Sequence, residues 1–194
     1  MNLILKNAII VDSKSNHHFQ KKDILIESGI IKKIENDIKA KNEKIISFKN
    51  LHISNGWFDS SVSFGEPGFE ERETLENGLK TSSKSGFTDI ILNPNTNPVI
   101  DSHSSVSHIY KKTNDSATNV HVLASLTKGS LGKELAELYD MHIAGAVAFG
   151  DYKKTLNNSN ILRIALDYVQ SFDGIIMSYP SDFDLSKEGL MHEG

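Results

Sequence analysis

Short apolar segments alternate with longer helix-like segments from Leu51 onward, and this alternation limits the possible folds more than any other feature. The strand candidates are HISNGWFD, FTDIILNPN, NVHVLASL, AVAFGD and DGIIMSYP. Helical patterns lie between them, in ERETLENGLKTSSKSG, HSSVSHIYKKTND, GKELAELYDMHIAG and SNILRIALDYVQSF. Apolar strands separated by helices form parallel sheets with helices packed outside them. We therefore predict an α/β domain of about five βα repeats over residues 53–194.

Residues 1–52 have a different pattern. Four strand-like runs, LILKNAIIV, DILIESG, GIIKKIE and KIISFKN, follow one another with only polar turns between them. Strands joined by short turns pair in antiparallel fashion. We predict a separate small antiparallel β unit here.

The repeated βα units fit two architectures. They could form an open doubly wound sheet or the first part of an eight-stranded barrel. No G-x-G-x-x-G follows the first strand, so the dinucleotide-binding form of the open sheet lacks its phosphate loop. We favour the barrel, and we expect these residues to be only its first half, either as a natural short protein or as a fragment of a longer one.

Composition excludes several classes of protein. The net charge is -4 and the lysine pairs are scattered, which is not the basic footprint of a nucleic-acid binder. The chain has no cysteine, so disulfides, thiolate zinc sites and cysteine nucleophiles are excluded. No apolar run approaches the roughly 18 residues of a membrane span, and the N-terminus lacks a signal-peptide cleavage pattern. We expect a cytoplasmic protein without a membrane partner.

Functional groups of parallel α/β proteins lie in the loops after the strands, which read DSSVSFGEPG, NPNTNP, LTKGSLG, FGDYKK and SYPSDFD. Motifs in and near these loops resemble the dihydroorotase branch of the cyclic amidohydrolases. They are EPG at 66–68, GFT at 86–88, PNTNP at 94–98, TKG at 127–129, GKEL at 132–135, GAVAF at 145–149 and GLMHEG at 189–194. The match is collinear and covers the first half of a typical member. It implies an amidohydrolase-type (β/α)8 TIM barrel behind an N-terminal β unit of the composite-sandwich kind.

The chain departs from that family at its reactive positions. Active members carry D-x-H-x-H-x-R-x-P-G after the first barrel strand, where the histidines bind a metal and the arginine holds the substrate carboxylate. Here Ser61 and Ser63 stand at the histidine positions and Gly65 at the arginine position. A further family histidine, after the fifth strand, aligns with Tyr179.

Two family positions are retained. Asp151 matches a residue of the metal-binding set, although a carboxylate after a strand often serves as a helix cap or bonds its own loop instead. Asn95 matches an asparagine that contacts substrate, although NPNTNP is also a strong turn former. Both interpretations of each residue remain open at this level.

The substitutions predict an inactive protein. A neutral serine hydroxyl is a poor zinc ligand, and one aspartate cannot hold the ion in a closed site. Zinc lowers the pKa of bound water to about 7, so its loss removes on the order of 12 kcal/mol of nucleophile activation. The serines themselves lack a base, since no histidine occurs in these strand-end loops. We expect no cofactor.

Two roles follow. The first is a dihydroorotase-like pseudoenzyme that supports a partner of pyrimidine biosynthesis, for which the resemblance suggests aspartate transcarbamoylase. The second is an active zinc-dependent dihydroorotase or related enzyme hydrolysing a ring amide, with replacement ligands from a missing C-terminal half. Half a barrel would expose a broad apolar edge, so we also expect a homo-oligomer.

Overall fold

The computed structural model describes residues 2–181, and these divide into two compact units, one ending at Gly56 and the other beginning at Trp57. The sequence placed this boundary at residue 52 because HISNGWFD reads as one apolar strand. In the structure that segment forms two strands in different sheets, β5 (His52–Ser54) and β6 (Trp57–Val62). The Asn55-Gly56 pair between them separates the units.

The first unit is one sheet of five strands, built from β1 (Leu3–Val11), β2 (Lys21–Glu27), β3 (Ile30–Glu35), β4 (Lys44–Ser47) and β5. The pairs β1–β2 and β2–β3 are antiparallel. The prediction of a purely antiparallel unit is wrong, because β4 and β5 both run parallel to β1. A parallel neighbour needs a longer connection than a hairpin, and strand patterns along the chain do not reveal it.

A buried carboxylate organises the first unit. Asp23 is 2% exposed and accepts hydrogen bonds from the ammonium group of Lys6 at 2.6 Å and from the backbone N–H groups of Asn7 and Ile38 at 2.9 Å each. Burial raises the pKa of Asp23, but these three donors outweigh it and hold the pKa below its ordinary value. The carboxylate thus joins β1, β2 and the segment after β3.

The second unit alternates strands and helices: β6, α1 (Leu75–Lys84), β7 (Phe87–Leu92), α2 (His103–Thr113), β8 (Asn119–Ala124), α3 (Leu138–Ile143), β9 (Ala146–Phe149) and α4 (Ser159–Val169). The strands are parallel and lie in the order β6-β7-β8-β9. Each new strand is added beside the previous one, as in a barrel, whereas a doubly wound sheet reverses direction partway. The prediction of a partial barrel is confirmed.

Two predicted elements are shorter than expected. The helical pattern GKELAELYDMHIAG yields only α3, because the preceding residues bend back so that Leu135 pairs with Thr127. The fifth strand, DGIIMSYP, is limited to one bridge between Ile176 and Phe149 in the part of the chain that the structure describes.

The core of the second unit lies between the sheet and its helices. Ile90 and Leu92 of β7 pack with Val106 and Ile109 of α2 and with Leu79 of α1. The opposite face of the sheet, which a complete barrel would enclose, leaves large side chains exposed in the described residues: Phe58, Val147 and Ile175. None of the described helices has the length and hydropathy needed to cross a bilayer.

Candidate functional site

The candidate site lies where β6, β7 and β9 end. Parallel strands place their carboxyl ends at one edge of the sheet, so the residues that follow each strand meet there. A cavity of about 240 Å³ opens at this edge, and Ser61, Asn93, Asp151, Tyr152 and Tyr179 are among the residues that line it.

The two serines are held by a buried amide. The side-chain N–H of Asn93, which directly follows β7, donates to the hydroxyl oxygens of Ser61 and Ser63 at 3.2 Å each. Asn93 is 1% exposed, and its Oδ1 atom has no hydrogen-bond partner in the described part of the chain. Ser61 and Ser63 therefore form hydrogen bonds with a neutral amide of the protein itself, as residues with a structural role do.

Asn95 belongs to the same cluster. Its Oδ1 atom accepts a hydrogen bond from the hydroxyl of Ser63 at 3.0 Å. The structure therefore brings Asn95 next to a histidine position of the family, while its role as a ligand contact stays a prediction.

Tyr152 faces the serines from the third strand end. Interaction with the Ser63 hydroxyl is the main reason that the pKa of Tyr152 is lowered. Partial burial opposes the shift, and the neighbouring ammonium group of Lys153 and the Ser61 hydroxyl add to it. Tyr152 lines the same cavity as Ser61.

The Asp151 carboxylate is engaged in hydrogen bonds with neighbouring residues of the protein. Its Oδ1 atom accepts hydrogen bonds from the Ser125 hydroxyl at 2.8 Å and from the backbone N–H groups of Leu126 and Thr127 at 3.0 Å each. Its Oδ2 atom accepts a hydrogen bond from the hydroxyl of Thr127. The carboxylate is buried and ties the loop after β8 to the loop after β9.

Gly65 has a backbone conformation that suits glycine. Its φ is +127°, and a Cβ atom built there would lie 2.6 Å from the carbonyl oxygen of Phe69. An arginine at this position would need a different loop path. Both the residue type and the backbone conformation at position 65 therefore exclude the arginine found in active members of the family.

The EPG segment at 66–68 holds the loops and helices around the site in place. Glu66 accepts hydrogen bonds from the first backbone N–H of α1, at Leu75, and from the ammonium group of Lys112 on α2. The Lys112 contact is the main reason that the pKa of Glu66 is lowered. The backbone N–H of Asn97 donates to the carbonyl of Pro67 at 2.8 Å, which joins the loops after β6 and β7.

Tyr179, at the third family histidine position, lines the cavity and is 48% exposed. The imidazole on this sheet is elsewhere: His121 Nε2 lies 3.0 Å from the Asp89 carboxylate, within the strand bodies of β8 and β7. That contact is the main reason that the pKa of Asp89 is lowered. The motif GLMHEG, with His192, lies outside the described residues.

The donors that meet at the site do not suit the zinc ion that the family resemblance implies. Zinc prefers imidazole, thiolate and carboxylate ligands, whereas hydroxyl and amide groups converge here and the Asp151 carboxylate is already saturated by four donors. Over residues 2–181, no three histidine, aspartate or glutamate side chains are grouped so that they could hold a metal ion.

Asn93 and Tyr152 are the site residues that sequence reasoning missed. Each directly follows a recognisable feature, the apolar strand FTDIIL and Asp151 respectively, so strand-end position was the available signal. The serines that the Asn93 amide contacts lie 32 and 30 residues away in the sequence, and no local sequence pattern indicates contacts over such separations.

Residues 52–194 match a protein-family model described as dihydro-orotase-like. Among curated proteins, a dihydroorotase of Ruminiclostridium cellulolyticum is 35% identical over all of this chain and 45% of its own length. One of Acetivibrio thermocellus is 36% identical over 99% of this chain and 45% of its own length. The chain thus spans about half the length of these relatives.

Among solved structures, an L-hydantoinase (dihydropyrimidinase) from Arthrobacter aurescens superposes with a TM-score of 0.74 over 91% of this chain and 40% of its own. The identity is 19%, so this likeness concerns the fold. It agrees with a partial amidohydrolase barrel preceded by a sheet.

Proposed function

Since this chain belongs to the dihydroorotase-like family, we propose that it is a catalytically inactive member that serves pyrimidine biosynthesis as a scaffold or regulatory subunit. One observation carries the proposal: the Asn93 amide bonds both Ser61 and Ser63 at 3.2 Å, where the resemblance would place two imidazoles. Hydroxyl and amide groups do not provide the ligands that zinc requires.

Two further features support the loss of activity. A glycine at position 65 cannot make the bidentate contact by which arginine binds a carboxylate, and its backbone leaves no room for a side chain. The Asp151 carboxylate is committed to the loop after β8. Substrate orientation and metal binding are thus weakened by separate changes.

The fold is nevertheless retained around the site. Glu66 still bonds the start of α1, and Pro67 still joins the loops after β6 and β7. Retention of the loop architecture without its reactive groups favours a role that depends on shape. The partner we propose is aspartate transcarbamoylase, the enzyme that the family resemblance suggests.

A second candidate is an active metal-dependent hydrolase of ring amides. The observation that favours it is that the chain spans only 45% of its curated relatives, so ligands could come from the portion they have in addition. In that case the protein would bind zinc when it is produced at its natural full length.

Metal content and hydrolysis separate the two candidates. The protein is produced at its natural full length with zinc in the medium, zinc per chain is measured by mass spectrometry, and dihydroorotate hydrolysis is followed by ultraviolet absorbance. The dihydroorotase of Acetivibrio thermocellus, treated identically, is the positive control. We expect far less than stoichiometric zinc and no hydrolysis above background; near-stoichiometric zinc with turnover would establish the enzyme instead.

The partner is tested separately. The protein is mixed with aspartate transcarbamoylase from the same source, and the mass of the eluting species is measured by light scattering during size-exclusion chromatography. We expect a species that contains both proteins. Elution of both at their individual masses, at concentrations well above the micromolar range, would refute this partner and leave the question of catalysis untouched.

A further inference from the structure

Two exposed pairs of apolar side chains lie on the helix layer of the second unit. Tyr139 and Ile143 are one turn apart on α3, and Ile164 and Tyr168 are one turn apart on α4. All four side chains are between 42% and 62% exposed in the part of the chain that the structure describes. Helices on the surface of a globular protein normally turn polar residues to solvent, so both pairs depart from the usual pattern.

Phe172 joins the two pairs into one surface. Its ring centroid lies 5.5 Å from that of Tyr139 and 5.7 Å from that of Tyr168. The same ring packs edge-on against Phe149 of β9 at 6.1 Å, which fixes the surface to the sheet. The α3–α4 patch, as we name it, consists of five residues: Tyr139, Ile143, Ile164, Tyr168 and Phe172.

Further repeats of a barrel would not cover this patch. The strands are added in the order β6-β7-β8-β9, and α3 and α4 are consecutive helices of the layer outside them. Later strands would extend the sheet beyond β9, so their helices would pack on the far flank of α4. Leu166 lies on that flank, since two residues along a helix turn the side chain about 200° from Ile164. The partial length of the chain therefore accounts for the open inner face of the sheet and leaves the patch unexplained.

We propose that the α3–α4 patch is the contact surface between two copies of this chain, related by a two-fold axis that crosses α4. The two tyrosines and two isoleucines expose roughly 300 Å² of apolar surface, which suits the apolar centre of the ~800 Å² that each partner of a stable dimer buries. Tyrosine is also enriched at the centres of protein interfaces. This inference concerns assembly and is independent of the proposed loss of catalysis.

The charges on α4 favour a second copy over an unrelated protein. The Arg163 guanidinium donates to the Asp167 carboxylate at 3.0 Å, and both side chains are exposed. A two-fold axis across α4 reverses the direction of the second helix, so Arg163 of each copy lies beside Asp167 of the other. The same operation brings Ile164 of each copy beside Tyr168 of the other. The surface is thus complementary to itself in charge and in apolar area.

Lysine variants test the surface. The protein at its natural full length is compared with Ile143→Lys and Ile164→Lys by light scattering during size-exclusion chromatography, at concentrations well above the micromolar range. We expect twice the chain mass for the unmodified protein and the mass of one chain for both variants, because the ammonium group would be buried without a partner. Leu131→Lys is the control and should stay dimeric, since Leu131 is an exposed leucine of the same unit outside the patch.

Two results would overturn the proposal: an unmodified protein with the mass of one chain, or patch variants that keep the mass of the unmodified protein. Thermal unfolding followed by circular dichroism verifies that each variant is folded. Where a lysine variant does not fold, the charge variants of α4 decide the question, because they change only exposed side chains.

Complementary charge variants test the two-fold arrangement. Arg163→Glu leaves only acidic groups at these two positions, and Asp167→Arg leaves only basic ones. We expect each variant alone to dimerise at least about tenfold more weakly than the unmodified protein, and an equimolar mixture to form a mixed dimer, as measured by analytical ultracentrifugation. Both variants lack the ion pair within their own chain, so recovery in the mixture reports contact between copies. A mixture that associates no better than either variant alone would refute the arrangement.

Aspartate transcarbamoylase is the other occupant that these variants can reveal. If the protein alone has the mass of one chain, and Ile164→Lys but not Leu131→Lys abolishes its complex with that enzyme, the patch binds the enzyme and the second copy is refuted. Zinc content and hydrolysis are read separately, because none of the described residues that line the cavity at the strand ends belongs to the patch.

Discussion

Replacement of Asp151 by alanine is expected to destabilise the second unit strongly. The carboxylate accepts four hydrogen bonds, two from hydroxyls and two from the backbone N–H groups of Leu126 and Thr127. Ser125 and Thr127 are fully buried, so these donors cannot turn to water when the carboxylate is removed. Each orphaned buried donor costs about 1–3 kcal/mol.

The expected loss of unfolding free energy is about 3–5 kcal/mol, which is below the simple sum because the serine and threonine hydroxyls can rotate towards other acceptors. Ser125 already lies 2.7 Å from the Ser130 hydroxyl, which provides one such acceptor. The two backbone N–H groups have no alternative that a rotation could supply. They account for most of the expected loss.

Urea unfolding followed by circular dichroism measures the loss, and hydrogen exchange at Leu126 and Thr127 locates it. Asp115→Ala is the control, because Asp115 is an exposed carboxylate of the same unit. We expect it to change the unfolding free energy by no more than about 0.5 kcal/mol. A loss below about 1 kcal/mol for Asp151→Ala, with unchanged exchange at both amides, would show that the carboxylate does not hold this loop.

Two further predictions concern stability. The pKa of Asp23 is lowered in the folded protein, so its contribution to stability is complete above the unfolded pKa of about 3.9 and is lost as the pH falls through the folded value. Asp23→Asn should therefore reduce the loss of stability at acid pH in a stability–pH curve, whereas the control Asp37→Asn should not. An unchanged acid side of the curve in Asp23→Asn would contradict this. Gly68→Ala should cost more than about 3 kcal/mol in urea unfolding, because its Cβ atom would lie 2.0 Å from the carbonyl oxygen of Asn97 at a φ of +95°. Gly29→Ala, which meets nothing within 4 Å at a φ of +78°, should cost only about 1 kcal/mol, and equal losses for both glycines would refute the steric argument.

The sequence alone determined the parallel α/β character of the second unit and the substituted positions. Apolar strands that alternate with helices can bury both faces only in a parallel sheet, so the parallel sheet follows from the local pattern, whereas the order β6-β7-β8-β9 is seen only in the structure. The serines at 61 and 63 and the glycine at 65 can be read directly beside the intact EPG motif. Chemical identity at a position needs no structure.

Tertiary structure alone decided what surrounds those positions. The Asn93 amide reaches Ser61 across 32 residues, and Ser125 reaches Asp151 across 26, because parallel strands bring their distant carboxyl ends to one edge of the sheet. Likewise, HISNGWFD has one apolar pattern but two strands, because β5 pairs with β1 at the start of the chain. Hydrogen-bond partners that are far apart in sequence leave no periodicity, so only the folded chain shows which donors saturate Asp151 and which side chain faces the serines.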